Sequence, residues 1–170
     1  MSTQGQRQSA CRASTQARVC LRFFLPGLPA PAGSHRAFPL RRKDGSLGVA
    51  VAPDSRRLRD WVNLVRLKAA QCWRHPPLRG AVCIRLRFLL PRPKAHYRTG
   101  RHQGQIKASA PRWPVKRPDV DKLARAVLDG LTGVVVADDA QVVRLDLVKR
   151  FADVRSGVHV RVACLDGDEA

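Results

Sequence analysis

Asp119 and Asp121 flank Val120 directly after Pro118, and Asp138 and Asp139 stand side by side further along the chain. With Asp129 and Asp146 they put six of the thirteen carboxylates between residues 119 and 146, beside only three bases, Lys122, Arg125 and Arg144. An acidic island in a chain of net charge +19 suggests a bound cation. One carboxylate after Pro118 can cap a helix and offset its dipole. A second at i+2 does not share that helix face, so a cap explains only one of the two. If residue 119 is still extended while residue 121 opens the helix, both can point into one mouth. The Asp138–Asp139 pair suits a turn, but adjacent carboxylates repel, and a cation relieves that repulsion. Carboxylates without Cys or His companions are hard oxygen ligands, suited to Mg²⁺ or Mn²⁺ rather than zinc. Where few carboxylates hold such an ion, phosphate commonly supplies the remaining ligands. The chemistry to expect is cleavage or transfer at a phosphodiester.

Thirty-two Lys and Arg against thirteen acids points to a polyanionic partner, meaning nucleic acid. Solubility alone is the plainer explanation, and the excess is too large for it. No run of about 18 apolar residues exists, so no membrane span is expected. The cysteines, Cys11, Cys20, Cys72, Cys83 and Cys164, are scattered and form no CxxC pair. They read as reduced thiols in a cytoplasmic protein rather than as a zinc site. The first forty-three residues lack acids, as in a transit peptide, but a basic, disordered tail over residues 1–17 is the simpler expectation.

The elements that must position these acids follow from hydrophobic periodicity. Residues 18–25 read as a strand, and the Pro- and Gly-rich stretch 26–48 as an irregular loop. Pro53-Asp54-Ser55 offers a turn and a cap before a helix on which Leu58, Trp61, Val62, Val65, Ala69 and Cys72 recur at helical spacing. Pro76-Pro77 ends it. Residues 81–90 form a strand, with Ala81, Cys83, Ile84, Leu86 and Phe88 expected on the buried side and Arg85 and Arg87 opposite. Residues 91–118 carry eight Lys and Arg, five prolines and no acid. His96, Tyr97, His102 and Trp113 are interleaved with those bases, a pattern that suits a strand of nucleic acid. Leu123, Ala124, Val127, Leu128 and Leu131 mark a second helix from Val120, ending near Gly133. Val134–Val136 reads as a short strand, and 142–150 and 157–165 as two more. In the last, Val158, Val160, Val162 and Cys164 share a face opposite His159. The fold class is α/β or α+β, a mixed sheet packed against two helices in one domain over residues 18–165, with a frayed acidic tail over 166–170.

The segment "KRPDVDKLARAVLDGLTGVVVADDAQVVRLDLVKRF" resembles the RusA family of Holliday-junction resolvases. That family shows Pro-Asp-x-Asp-Asn-Leu-x-Lys at a helix start and, about twenty residues later, Asp-Asp-Ser/Ala-Gln-Val; "PDVDKLAR" and "DDAQVV" match at that separation. The segments "RPKAHYRTG" and "FFLPGLPAPAGSHRAF" resemble a longer branch of the same family, so the likeness spans roughly residues 18–165. The resemblance implies a RusA-like fold and a Mg²⁺-dependent homodimer that nicks four-way DNA junctions symmetrically. It maps the metal-binding carboxylates to Asp119, Asp121 and Asp139, with Asp138 as their neighbour. It also places Lys122 where the family has Asn and Arg125 where it has a catalytic Lys. Arginine does not shuttle protons, but it can hold phosphate and stabilise developing charge.

The expected function is therefore a structure-selective DNA endonuclease acting on branched double-stranded DNA in the cytoplasm of a bacterial or phage-infected cell. Asp119, Asp121, Asp139 and Arg125 are the candidate catalytic residues. Lys94, Arg98, Arg101, Lys107, Arg112, Lys116, Arg117 and Lys122 are the candidate DNA contacts. Arg56, Arg59 and Arg66 are candidate backbone contacts from the first helix. The alternative is a non-catalytic nucleic-acid-binding protein that keeps the fold.

Overall fold

Alternating burial along three strands, with a fourth at the edge that is only partly buried, builds the sheet that carries the site. A computed structural model describes residues 17–33, 36–41, 44–52 and 56–165. The expected tails and the Pro53-Asp54-Ser55 cap lie essentially outside these residues. The elements are β1 (Ala17–Pro26), β2 (Arg36–Arg41), β3 (Leu47–Ala52), α1 (Arg56–Cys72), β4 (Val82–Leu90), α2 (Val120–Leu131), β5 (Val142–Phe151) and β6 (Gly157–Leu165). The main sheet runs β1-β6-β4-β5. Its β4–β5 pair is parallel and the others antiparallel. A parallel pair needs a crossover, and α2 supplies it between β4 and β5. The result is a mixed sheet with two helices, an α+β fold.

The core lies between sheet and helices. Ile84, Leu86 and Phe88 of β4 and Val158, Val160 and Val162 of β6 are fully buried. They belong to one cluster with Trp61, Val65 and Ala69 of α1 and Leu123, Val127 and Leu131 of α2. Burying each large apolar side chain contributes about 1.5–3 kcal/mol, so this core, rather than the charged surface, holds the frame. Gly130 lies where the two helices touch, and a Cβ there would sit 2.7 Å from the Val65 Cβ. The helix-weakening glycine is thus what permits the close approach. No helix is long and apolar enough to cross a membrane among the described residues.

Several expectations need correction. The stretch 26–48 is not wholly irregular: β2 and β3 pair as an antiparallel hairpin. Asp44 and Gly45 turn it, with Gly45 at φ +83° and the Asp44 carboxylate accepting from the Ser46 amide at 2.9 Å. That Asp-Gly pair is a hairpin signal, masked in the sequence by the surrounding prolines. Val134–Val136 is a bridged turn, not a strand. The amides of Val134 and Val135 both donate to Leu131 O, while Val136 bridges to Leu78 and Thr132. Val135 and Val136 are apolar because the helix end buries them.

On β4 the inward residues are Val82, Ile84, Leu86, Phe88 and Leu90, while Cys83 alternates with them and Ala81 is exposed. Strand side chains have period two, so Cys83 cannot share a face with Ile84. Cys72 on α1 is exposed. The expectation of reduced thiols fails at one pair. An irregularity between Val19 and Leu21 sets Cys20 beside Cys164, and the two are joined as a disulfide with Cα atoms 6.4 Å apart.

Candidate active site

Helix α2 starts after Pro118 because Asp119 leaves the helical backbone, at φ −74° and ψ 141°. Its carbonyl already accepts from the Leu123 amide at 3.1 Å, which makes it the N-cap residue. Its side chain makes no capping hydrogen bond. The carboxylate instead pairs with Lys122 Nζ at 3.4 Å, each side chain 47% exposed. Asp121 sits one step inside the first turn and is exposed. The extended-then-helical arrangement anticipated from the sequence is present, and the Asp119 carboxylate is not consumed by a cap.

The segment entering α2 is fixed from below. Lys149 of β5 shares the helix-side face of Leu147, which packs against the core, and donates through Nζ to the carbonyls of Lys116 and Pro118, at 3.0 and 2.9 Å. From above, the Ala32 amide donates to Lys122 O at 2.8 Å, docking the segment after β1 onto the first turn of α2. Sequence reasoning missed Lys149. Its signal is a lysine at an inward position of an alternating strand.

Asp138 and Asp139 lie beyond the other end of α2. Asp138 opens a single 3₁₀ turn, Asp139–Gln141. Its carboxylate accepts from the Ala140 amide at 2.8 Å, and the Gln141 side chain accepts from the Asp138 amide at 2.9 Å. Gln141 also donates to Gly80 O at 3.0 Å, tying the turn to the chain before β4. Asp138 therefore has the turn-forming role that adjacent aspartates suggest. The Asp139 carboxylate is exposed and has no hydrogen-bond partner among the described residues.

Asp121, Arg125 and Asp129 follow at i, i+4 and i+8, one stripe of α2. Burial first raises the Asp129 carboxyl above its usual range, and the nearby Asp139 charge adds to this against Arg125 and Arg66. Arg66 on α1 reaches the Asp129 carbonyl at 3.4 Å. Asp139 is thus the electrostatic neighbour of Asp129 at the far end of the stripe. Eight residues of helix, about 12 Å, separate Asp129 from Asp121. Among the described residues, no three Asp, Glu, His or Cys side chains converge as a metal-binding group. One chain brings Asp119 and Asp121 to the start of α2 and Asp139 to its end, with Arg125 between them.

The basic loop is ordered by its own backbone. Arg98 N donates to Gln105 O at 2.8 Å and Lys107 N to His96 O at 2.9 Å. Arg92 donates to Pro111 O at 3.1 Å and lies over the Phe151 ring at 4.2 Å. Trp113 is flanked by the guanidinium groups of Arg150 and Arg112, at 4.8 and 5.7 Å. Lys94, Arg98, Arg101, Lys107, Arg112, Lys116 and Arg117 all remain exposed. A cleft of about 1220 Å³ runs between this loop, α1 and the segment after β1. Lys116, Arg117, Asp119 and Lys122 line it, whereas Asp121, Arg125, Asp138 and Asp139 do not. The cleft is otherwise largely apolar, with Trp61, Leu64 and Phe151 in its wall.

A sequence model of the family described as "Endodeoxyribonuclease RusA" matches residues 29–163. The chain is also similar to "Uncharacterized protein YqaN" of Bacillus subtilis (strain 168), at 25% identity over 134 residues, covering 79% of this chain and 89% of that protein.

Proposed function

The chain belongs to the RusA endodeoxyribonuclease family, and on that premise we propose that it is a divalent-metal-dependent endonuclease that resolves four-way DNA junctions by paired nicks. The observation that carries this reading is the Asp119 carboxylate. It stands at an N-cap without capping, next to Asp121, on the rim of a cleft edged by Lys116, Arg117 and Lys122.

The donor set fits the ion. Mg²⁺ keeps several waters and is commonly held by one or two carboxylates together with substrate phosphate, which Asp119 and Asp121 satisfy without a third protein ligand; Mn²⁺ accepts the same oxygens. When bound, such an ion supplies an acidified water and offsets charge on the scissile phosphate. The chain's own residues do the rest. Lys149 holds the carbonyls of residues 116 and 118, so the acids stand on a fixed backbone. Lys122 and Arg125 offset negative charge on the phosphate as it grows, Arg125 as a fixed cation rather than a proton shuttle. Lys94, Arg98, Arg101, Lys107, Arg112, Lys116 and Arg117 hold the DNA backbone, positioning it without reading sequence.

A four-way junction has approximate two-fold symmetry, and two nicks call for two chains about a two-fold axis. Two features support a homodimer. Val143 and Leu145 on edge strand β5 are 63% and 37% exposed, an apolar edge that a second copy would cover. In addition, the acids at the two ends of α2 do not meet within one chain, whereas a second copy can bring one end against the other.

Incubation with a synthetic junction and a linear duplex, with Mg²⁺ or with EDTA, tests the proposal. Symmetric nicking of the junction with Mg²⁺ alone supports it. Tight junction binding without any nick favours the binding-only alternative.

A further inference from the structure

The face of the sheet turned away from the helices carries arginines in register. Arg22 on β1 lies opposite Arg161 on β6, and Arg161 lies opposite Arg85 on β4. Arg85 lies opposite Asp146 on β5 and binds it at 3.1 Å. Strand alternation turns this row outward, because Leu21, Phe23, Val160, Val162, Ile84 and Leu86 on either side of it are buried. One row along, Arg87 lies opposite His159, whose ring stacks on Phe24 at 4.6 Å. Asp146 is the only acid on the four strands of this sheet, and Arg144 shares it at 3.4 Å. Arg22, Arg87 and Arg161 have no carboxylate partner among the described residues.

Like charges directly opposite one another destabilise a sheet. Neighbouring strands are about 4.8 Å apart, so Arg22, Arg161 and Arg85 crowd three guanidinium groups into a span of about 10 Å. Solubility alone does not require cations in cross-strand register. A second copy of this face would set arginine against arginine, so the face is not a self-association surface. A small anion answers one position in the row. Duplex DNA, with one charge per about 1.7 Å of axis, answers all of them at once. Asp119, Lys116, Arg117 and Lys122 line the cleft against α1, on the helix-bearing side, so one duplex lying at the acids does not also cover the row that runs from Arg22 to Arg85.

We infer that the open face of the sheet is a second DNA surface, which takes the phosphate backbone of a junction arm other than the one lying at Asp119. This rests on the junction-binding reading but not on cleavage.

The test is a salt titration of binding in EDTA by the full chain, comparing a four-way junction with a linear duplex. In the variant Arg22→Gln/Arg87→Gln/Arg161→Gln, the log–log slope for the junction becomes shallower by about 0.9 per lost phosphate contact, about 2–3 in all. The slope for linear duplex, held at the Asp119 side, stays as in the wild type. The corresponding triple lysine variant restores the junction slope. An unchanged junction slope in a folded glutamine variant overturns the inference, and so does an equal loss on both DNAs. If the triple variant does not fold by circular dichroism, Arg161→Gln alone reads the same effect, as a slope change of about 0.9 confined to the junction. Nicking of the junction by the wild type with Mg²⁺ is scored separately, so failure of the catalytic reading and failure of this one remain distinct.

Discussion

Lys149 Nζ donates to Pro118 O at 2.9 Å and to Lys116 O at 3.0 Å, so a strand of the sheet holds the backbone from which Asp119, the first of the proposed catalytic aspartates, projects. Hydrogen bonds to a charged group contribute about 1.5–3 kcal/mol each when buried, and less here, where Lys116 is exposed and Pro118 and Lys149 are half-buried, so that water can replace the lost donor. Lys149→Met keeps the stem and removes both bonds. The expected result is a loss of about 1–3 kcal/mol in stability. Cleavage falls by about a hundredfold, the scale of a small misplacement of reacting groups, with junction affinity little changed. Denaturant titration and single-turnover cleavage read these two effects separately.

Asp138 and Asp139 are neighbours with different duties. Asp138→Ala removes a capping side chain and is expected to cost about 0.5–2 kcal/mol of stability. Asp139→Asn removes only an exposed charge and is expected to leave stability within about 0.5 kcal/mol. If Asp139 serves at the metal, the asparagine variant loses cleavage by about a hundredfold or more, the scale of losing one preorganised electrostatic group. Thermal melting together with cleavage assays separates the two residues.

Elements with strong periodicity were legible in the sequence. Leu123, Val127 and Leu131 gave α2 at its observed position, and Val158, Val160 and Val162 gave the buried face of β6. The β2–β3 hairpin was hidden because Pro39 and the neighbouring glycines break the alternation that its Asp44-Gly45 turn would otherwise frame. Val134–Val136 misled because burial at a helix end produces the same short apolar run as a strand. At the site, the types and spacing of Asp119 and Asp121 were readable, as was the extended-to-helical step between them. The distance from that pair to Asp139 was not, since it depends on where α2 ends and on the bridged turn beyond it. Nor was the Cys20–Cys164 bond, which depends on the irregular register between β1 and β6.

Burial first, and the Asp139 charge with it, raise the Asp129 carboxyl above its usual range, against Arg125 and Arg66. The folded chain then keeps this proton to higher pH than the unfolded chain does. Stability contributed by this group therefore falls as pH rises from the unfolded value through the raised folded one, and the penalty is complete above the latter. Asp129→Asn removes that penalty. The variant is expected to melt slightly above the wild type at pH 7, and the difference closes as pH drops below the ordinary carboxylate value. Melting temperatures across that range check both the sign and the window.

Val143 is 63% exposed on an edge strand. A homodimer of about twice the 18.8 kDa chain mass is expected in the absence of DNA. Val143→Asp puts a charge into the proposed contact and is expected to shift the population toward monomer and to abolish paired nicking. Light scattering at moderate salt measures the first effect and the ratio of paired to single nicks the second.

The central claim is that the Asp119 carboxylate, unspent on its helix cap, serves catalysis through a divalent ion. The most direct measurement is junction cleavage and junction binding by Asp119→Asn, side by side, at saturating Mg²⁺. The predicted result is cleavage below detection with binding retained or strengthened, because a negative charge beside phosphate has been removed. Cleavage at the wild-type rate by this variant would contradict the claim.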